Sequence, residues 1–262
     1  GPFLSRADIP GSSSLLTLSV VSHGQGRIVA RLLDDLARIA SPRVSRVIVT
    51  RNITEDWRPP ERIGDCEIVL IDNAQPRGFG ANHNAAFEHC RSEYFAVVNP
   101  DILLPQDPFT SIEQQFTSDP KLGLLSPCIK NPDGQIEDFV RAQISPLSIL
   151  LRRISSRTEH REDWVAGMFM VFRSAAFRSV HGFDSRFFMY CEDADICARL
   201  RLAQWKFTIA WSCDVIHDAQ RASHRSARHL RWHLTSMLRM WASSAFWRYR
   251  ALLSRDRGKE LN

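Results

Sequence analysis

The segment FFMYCEDADICARLR, residues 187–201, sets Glu192, Asp193 and Asp195 directly behind an aromatic run and at the start of a helix-like stretch. Acids this close repel one another, so stability alone gives no reason for the cluster. A helix beginning near Cys191 would hold Glu192 and Asp193 in its first turn, where free N–H groups and the macrodipole favour anions. An ordinary N-cap with surface acids accounts for one of the three, not for all of them. Asp193 and Asp195 cannot share a helix face, so at least one is expected to enter a cleft. Packing against Phe187, Phe188 and Tyr190, with like charges nearby, would raise a carboxylate's pKa and suit it to accept a proton.

A second acid, Asp101, lies in Asn99-Pro100-Asp101 at the end of a buried apolar run. Pro100 fixes φ and helps set the direction of the turn. One carboxylate with a polar neighbour can hold Mg²⁺ or Mn²⁺ while the ion keeps waters and takes phosphate oxygens. An Asx turn would explain N-P-D equally well, and Asn131-Pro132-Asp133-Gly134 repeats the tripeptide as a turn. His217, in CDVIHDAQ, reads by itself as a satisfied polar group after a strand. Its company with Asp101 is what makes it a candidate ligand. RGFGANHNAAF has neither the Gly-Lys-Ser/Thr ending of a Walker A loop nor GxGxxG, yet small residues and amides opening a helix suit a diphosphate or a ribose.

These groups need a scaffold. LLTLSVVSHG, VSRVIVTRN and CEIVLIDN read as buried strands, and EYFAVVNPDILL as a fourth that runs into N-P-D. QGRIVARLLDDLARIA and GFGANHNAAFEHC read as helices between them. Strand and helix in alternation mean βαβ units and a mainly parallel sheet flanked by helices, an α/β fold. Ligands in such sheets bind beyond the carboxyl ends of strands, where Ser22-His23-Gly24, Asn52, Asp72-Asn73 and Asn99 to Asp101 fall. Further on, LGLLSPCIKNPDGQ reads as a strand and turn, 141–163 as a polar, basic mobile loop, WVAGMFMVFR as one strand, SAAFRSVHGF and DADICARLRLAQ as helices, and KFTIAW as a strand.

The six cysteines form no C-x-x-C pair, which points to free thiols in a reducing compartment rather than to zinc or disulfides. No apolar run approaches the ~20 residues of a membrane span, and no secretory signal is visible. Gly1-Pro2 reads as the scar of a cleaved tag, with 1–10 a flexible start. Residues 11–220 are expected to form the catalytic domain and 221–262 a basic, aromatic-rich helical extension. There Leu230, Leu234, Met237, Leu238, Trp241 and Ala245 recur at helical spacing among Arg228, Arg231, Arg239, Arg248 and Arg250. An amphipathic basic face suits an anionic membrane surface; packing on the rest of the chain would serve it equally well. No nucleic-acid recognition motif is present, and no nucleic-acid partner is expected.

In this order the segments SVVSHG, RGFGANHNAAF, VVNPDILLP, WVAGMFMVFR, HGFDSRFFMYCEDADICARLR and VIH resemble the family 2 glycosyltransferases of GT-A fold. The likeness is closest to the bacterial rhamnosyltransferase-like subgroup, which acts in O-antigen and cell-wall synthesis. The resemblance implies a metal-dependent, inverting transfer of a sugar from a nucleotide-diphosphate donor, dTDP-rhamnose favoured over UDP- or GDP-sugars, to a hydroxyl of a lipid-linked or polysaccharide acceptor. It implies Asp101 and His217 as ligands of Mg²⁺ or Mn²⁺, with Asn99 in the place of the first acid of D-x-D. Asp193 would be the general base, and Glu192 would orient the acceptor or the loop. Ser22, His23, Asn52, Arg77, Gly78, Phe79, Asn82, Asn84 and Gly167 would face the donor. The expected location is the cytoplasm, peripheral at the inner face of the membrane.

Two departures from the family pattern concern the nucleobase. Thr50 and Arg51 stand where an Asp-Asn pair is usual, and Ser22-His23-Gly24 replaces Thr-Tyr-Asn, so base recognition is expected to have shifted. The rival class is a sugar nucleotidyltransferase of related sheet topology. It would need a Gly-rich basic loop after the first strand, which SHGQGR matches poorly.

Overall fold

The computed structural model describes residues 16–154, 161–219 and 227–260. In chain order the elements are β1 (Leu16–Ser22), α1 (Gly26–Ile39), β2 (Val44–Arg51), β3 (Arg62–Ile63), β4 (Cys66–Asp72), α2 (Phe79–Phe87), β5 (Tyr94–Val98), β6 (Ile102–Leu103), α3 (Phe109–Ser118), β7 (Leu122–Lys130), β8 (Val140–Arg141), α4 (Pro146–Ile154), β9 (Trp164–Val165), β10 (Phe169–Arg173), α5 (Ser174–Ser179), α6 (Glu192–Leu202), β11 (Lys206–His217), α7 (Ala227–Ala242) and α8 (Ser244–Glu260).

Among the described residues one sheet runs β3-β4-β2-β1-β5-β10-β7-β11-β6. Strands β4, β2, β1 and β5 are parallel, as the βαβ reading requires. β10 enters antiparallel between β5 and β7, so the sheet is mixed at its centre. Each residue of β5, YFAVV, is buried, which is how a strand covered on both faces reads. Helix α1 buries Val29, Leu32, Leu33 and Leu36 at helical spacing, and Ala40 ends it in the left-handed region with its N–H on the Leu36 carbonyl.

Three expectations are corrected. Residues 141–163 are not a plain loop: α4 lies within them, its start fixed by the Ser148 N–H on Ser145 Oγ at 3.1 Å, with Pro146 as first helical residue. WVAGMFMVFR is not one strand, because the chain breaks at Ala166–Met168 between β9 and β10. Helix α3 was assigned no element; the Asp107 carboxylate caps it by accepting the Phe109 N–H at 2.8 Å, and Phe109, Ile112 and Phe116 are buried.

The described part of the C-terminal stretch is two helices packed on the sheet unit. Tyr249 of α8 is 1% exposed and donates its hydroxyl to the Asp163 carbonyl at 2.5 Å. Met240 and Phe246 pack with Phe187, the residue that opens the acidic segment. The expected flexible start, 1–10, lies outside the described residues.

Candidate active site

β5 ends at Val98, and the N-P-D corner turns the chain into the two-residue strand β6. That strand pairs antiparallel with the end of β11, in a register that sets His217 opposite Ile102. The pairing brings His217 beside Asp101, with Nε2 3.1 Å from Oδ2. The Asp218 N–H donates to the Asp101 carbonyl at 2.9 Å, and Asp218 is held in turn by Arg31 of α1 at 2.8 Å. His217 Nδ1 lies 3.6 Å from Glu137. The hydrogen bond to Asp101 raises the imidazole's pKa against the opposing effect of burial. Asp101 Oδ1 is buried without a hydrogen-bond partner, an acceptor left over in a polar corner. A hard oxygen and an imidazole nitrogen converging in this way fit a divalent cation such as Mg²⁺ or Mn²⁺.

The acidic cluster resolves into three different jobs. Asp195 is buried and paired with Arg199 one turn on, at 2.8 Å. Arg199 also donates to the Val180 and Gly182 carbonyls, so this pair fastens α6 to the preceding loop. Glu192 is buried, and its Oε2 has no hydrogen-bond partner. Asp193 is only partly covered and accepts two backbone N–H groups, Gly167 on Oδ2 and Ala194 on Oδ1, each at 2.9 Å. Burial, with the charge of Asp193, pushes Glu192 up to about 8. Burial also raises Asp193, but the Gly167 and Ala194 N–H groups oppose it. The Gly167 and Ala194 N–H groups favour the charged form of Asp193 against the effect of burial, while Glu192, its Oε2 without a hydrogen-bond partner, keeps its proton at neutral pH.

The backbone before α6 is forced into place. Tyr190 and Cys191 both take left-handed conformations, φ 72° and 64°, which non-glycine residues adopt at a cost. The preceding residues are clamped onto α2: the Phe79 N–H donates to the Phe188 carbonyl at 3.1 Å, and a Cβ on Gly78 would stand 2.5 Å from that oxygen. Only glycine lets the two backbones approach so closely. Asn84 completes the clamp, accepting the Phe183 N–H at 2.9 Å and donating to the Phe183 carbonyl at 2.8 Å.

Asp193 and the N-P-D corner belong to one end of the sheet. Gly167 donates to Asp193, and the next residue, Met168, takes the Asn99 N–H on its carbonyl at 2.9 Å. Gly167 also lies against Phe79, where a Cβ would come within 3.2 Å of the ring.

At the neighbouring ends of β1, β2 and β4 the amides are engaged mainly with one another. Asn52 Oδ1 accepts from Asn73 Nδ2 (2.9 Å), the Arg77 N–H (2.8 Å) and Asn82 Nδ2 (3.1 Å). Asn52 Nδ2 reaches the Arg77 carbonyl, and lies 3.2 Å from His23 Nδ1. Asn52 and Asn82 are buried, so they shape the 73–78 loop, while His23 and Arg77 are the exposed side chains of the group. Arg51 forms an ion pair with Asp72 and donates to the Glu55 and Trp57 carbonyls.

Sequence reasoning missed Glu55. Its carboxylate accepts the Ser22 hydroxyl at 2.5 Å and the Gly26 N–H at 3.1 Å, returning an acid to the end of β1. Its one signal is the pair of acids Glu55-Asp56 directly after a strand end, in TRNITED.

The chain matches Glycosyl transferase family 2 over residues 47–182. It is 29% identical over 252 residues to Rhamnosyltransferase WbbL of Escherichia coli (strain K12), covering 86% of this chain and 92% of that protein. It is 26% identical over 269 residues to the N-acetylglucosaminyl-diphospho-decaprenol L-rhamnosyltransferase of Mycobacterium tuberculosis, covering 90% and 87%. Among solved structures, the mannosyltransferase PcManGT from Pyrobaculum calidifontis in complex with GDP-Man and Mn²⁺ superposes with TM-score 0.60 at 18% identity; 86% of this chain is covered but only 64% of that one. S. aureus TarS 1-349 in complex with UDP gives TM-score 0.60 at 12% identity, over 88% of this chain and 72% of that one.

Proposed function

The chain belongs to glycosyl transferase family 2, and on that premise we propose that it moves a sugar, rhamnose first, from a nucleotide-diphosphate donor to a hydroxyl of a lipid-linked or polysaccharide acceptor. The GT-A fold and the glycosyltransferase class follow from the family and its solved neighbours. Rhamnose and a lipid-linked acceptor are supported by the names of the two relatives, both rhamnosyltransferases, one named for a diphospho-decaprenol substrate. Such an acceptor suits cell-surface glycan synthesis, in the cytoplasm beside the membrane.

One observation carries the mechanistic reading. Asp193 and the Asp101–His217 pair come from distant segments yet meet at one end of the sheet, joined through Gly167 and Met168. In this reading Asp193 accepts the proton of the acceptor hydroxyl as its oxygen bonds to the anomeric carbon. The bond from that carbon to the diphosphate oxygen breaks on the opposite face, and the configuration inverts. The Gly167 and Ala194 N–H groups favour the charged form of Asp193 against burial and aim its carboxylate. Glu192, protonated beneath it, adds no second charge to repel the base. Asp101 and His217 would hold a divalent cation, which would supply positive charge to a departing diphosphate.

The test is product analysis with dTDP-rhamnose, UDP-sugars and GDP-sugars. Release of nucleoside diphosphate together with a product whose anomeric configuration is opposite to that of the donor supports the reading. Retention of configuration, or pyrophosphate released from a nucleoside triphosphate, refutes it.

A further inference from the structure

Helices α4 and α7 carry leucines that stand more than half exposed. Leu147, Leu150 and Leu151 of α4 are 61%, 57% and 52% exposed; Leu230, Leu234 and Leu238 of α7 are 62%, 54% and 64% exposed. On α7 the three recur every fourth residue and form one stripe. The opposite side of that helix is engaged: Trp232 lies 5.0 Å from Phe188, His233 stacks on Tyr190, and Ser236 Oγ donates to the Met189 carbonyl at 2.6 Å. The leucine stripe is thus not needed to hold α7 in place.

The end of α7 and the start of α8 meet the residues just before α4. Trp241, near the end of α7, donates its indole N–H to the Ile144 carbonyl at 2.9 Å, just before α4 begins. Gln143 donates to the Phe246 carbonyl at 3.1 Å. Neither helix contains an Asp or Glu, whereas α7 carries Arg228, Arg231 and Arg239. Exposed leucines beside arginines, with no acid on either helix, match a surface that is apolar below and anionic above. No helix among the described residues is long and apolar enough to cross a membrane.

We propose that α4 and α7 form one face that docks on an anionic lipid bilayer, the leucines entering the acyl boundary and the arginines meeting lipid phosphates. The other side of α7 grips residues 188–190, which lead into Asp193, so docking holds the rim of the cleft at the lipid surface. In purpose this rests on the acceptor being lipid-linked, and the test reads lipid binding apart from transfer.

The full chain is sedimented with vesicles of phosphatidylcholine alone or with added phosphatidylglycerol. The expected result is binding to the anionic vesicles, weakening as salt rises. The double substitutions Leu234→Gln with Leu238→Gln and Leu147→Gln with Leu150→Gln should each weaken it by roughly tenfold or more, with circular dichroism unchanged. Transfer to a detergent-dispersed lipid-linked acceptor should be retained in both variants; its absence from the wild type as well would count against the acceptor and not against the docking face. Failure of the wild type to bind anionic vesicles overturns the proposal, as do variants that bind like wild type. It is also overturned if the chain self-associates in lipid-free buffer and the same substitutions abolish that association, since the occupant is then a second copy.

Discussion

Asp193 and Asn99 are tied to consecutive residues: the Asp193 carboxylate takes the Gly167 N–H, and the Asn99 N–H is taken by the Met168 carbonyl, each at 2.9 Å. The proposed base and the corner proposed to hold the metal are thereby held in fixed relation by one short piece of backbone between β9 and β10. Geometry of that kind matters because displacing one group relative to the other costs rate even where neither is lost.

Asp193→Asn keeps one of the two backbone hydrogen bonds, turns an NH₂ toward the other N–H, and cannot accept a proton. It is expected to lower kcat by about 10²–10⁴, with a stability loss of about 1–3 kcal/mol that leaves the chain folded. Steady-state turnover and the unfolding midpoint check this together. Normal turnover would move the base elsewhere in the cluster.

Glu192 gives a stability signature with a defined sign. Its folded pKa of about 8 lies above the ordinary value of 4.5. Between those values the folded state binds more protons than the unfolded one, so stability declines as pH rises through that window. In Glu192→Gln this decline should shrink, so the variant's midpoint gains on wild type from pH 4.5 to 8. A constant difference across the range would refute the buried, protonated state.

Asp101→Ala and His217→Ala each remove one of the two side chains proposed to hold the metal. Chelation should silence the wild type, and Mg²⁺ or Mn²⁺ should restore it. Each substitution is expected to weaken Mn²⁺ binding, read by electron paramagnetic resonance titration, and to cut turnover by about 10² or more. Unchanged Mn²⁺ affinity in both variants would dissociate the corner from the metal.

Asn84 was expected to face the donor, but its amide bridges the two backbone groups of Phe183. Asn84→Asp loses the donor half of that bridge and leaves a carbonyl unpaired, at a cost of about 1–3 kcal/mol. The unfolding midpoint should drop by several degrees while donor KM stays within about twofold. A large KM change with an intact midpoint would return Asn84 to the donor site.

The parallel half of the sheet was legible because β1, β2, β4 and β5 are short apolar runs whose polar residues collect at one end. Asp101 and Asp193 drew notice for a related reason, each being an acid beside a buried apolar run, while the roles proposed for them came from the family resemblance. What local pattern could not supply was partnership. Asp195 has Arg199 four residues on, a helical spacing the sequence offers, but only the fold brings the Gly167 N–H to Asp193. Asn52, Asn73 and Asn82 looked like ligand amides and instead bond to one another, a pairing set by three strand ends meeting in space. Helix α4 was hidden because its leucines face outward, leaving no buried face to read, while α3 was passed over despite an Asp-Pro start and buried Phe109, Ile112 and Phe116.

The buried ring of Tyr249 changes how the end of this chain can be probed. Cutting before α7 would strip a large aromatic side chain from the interior, free the Asp163 carbonyl and uncover Phe187 at the mouth of the acidic segment. A shortened protein that lost activity would therefore report damage to the scaffold rather than a missing accessory part. Dissection of these two helices has to proceed by single exchanges on their outward side.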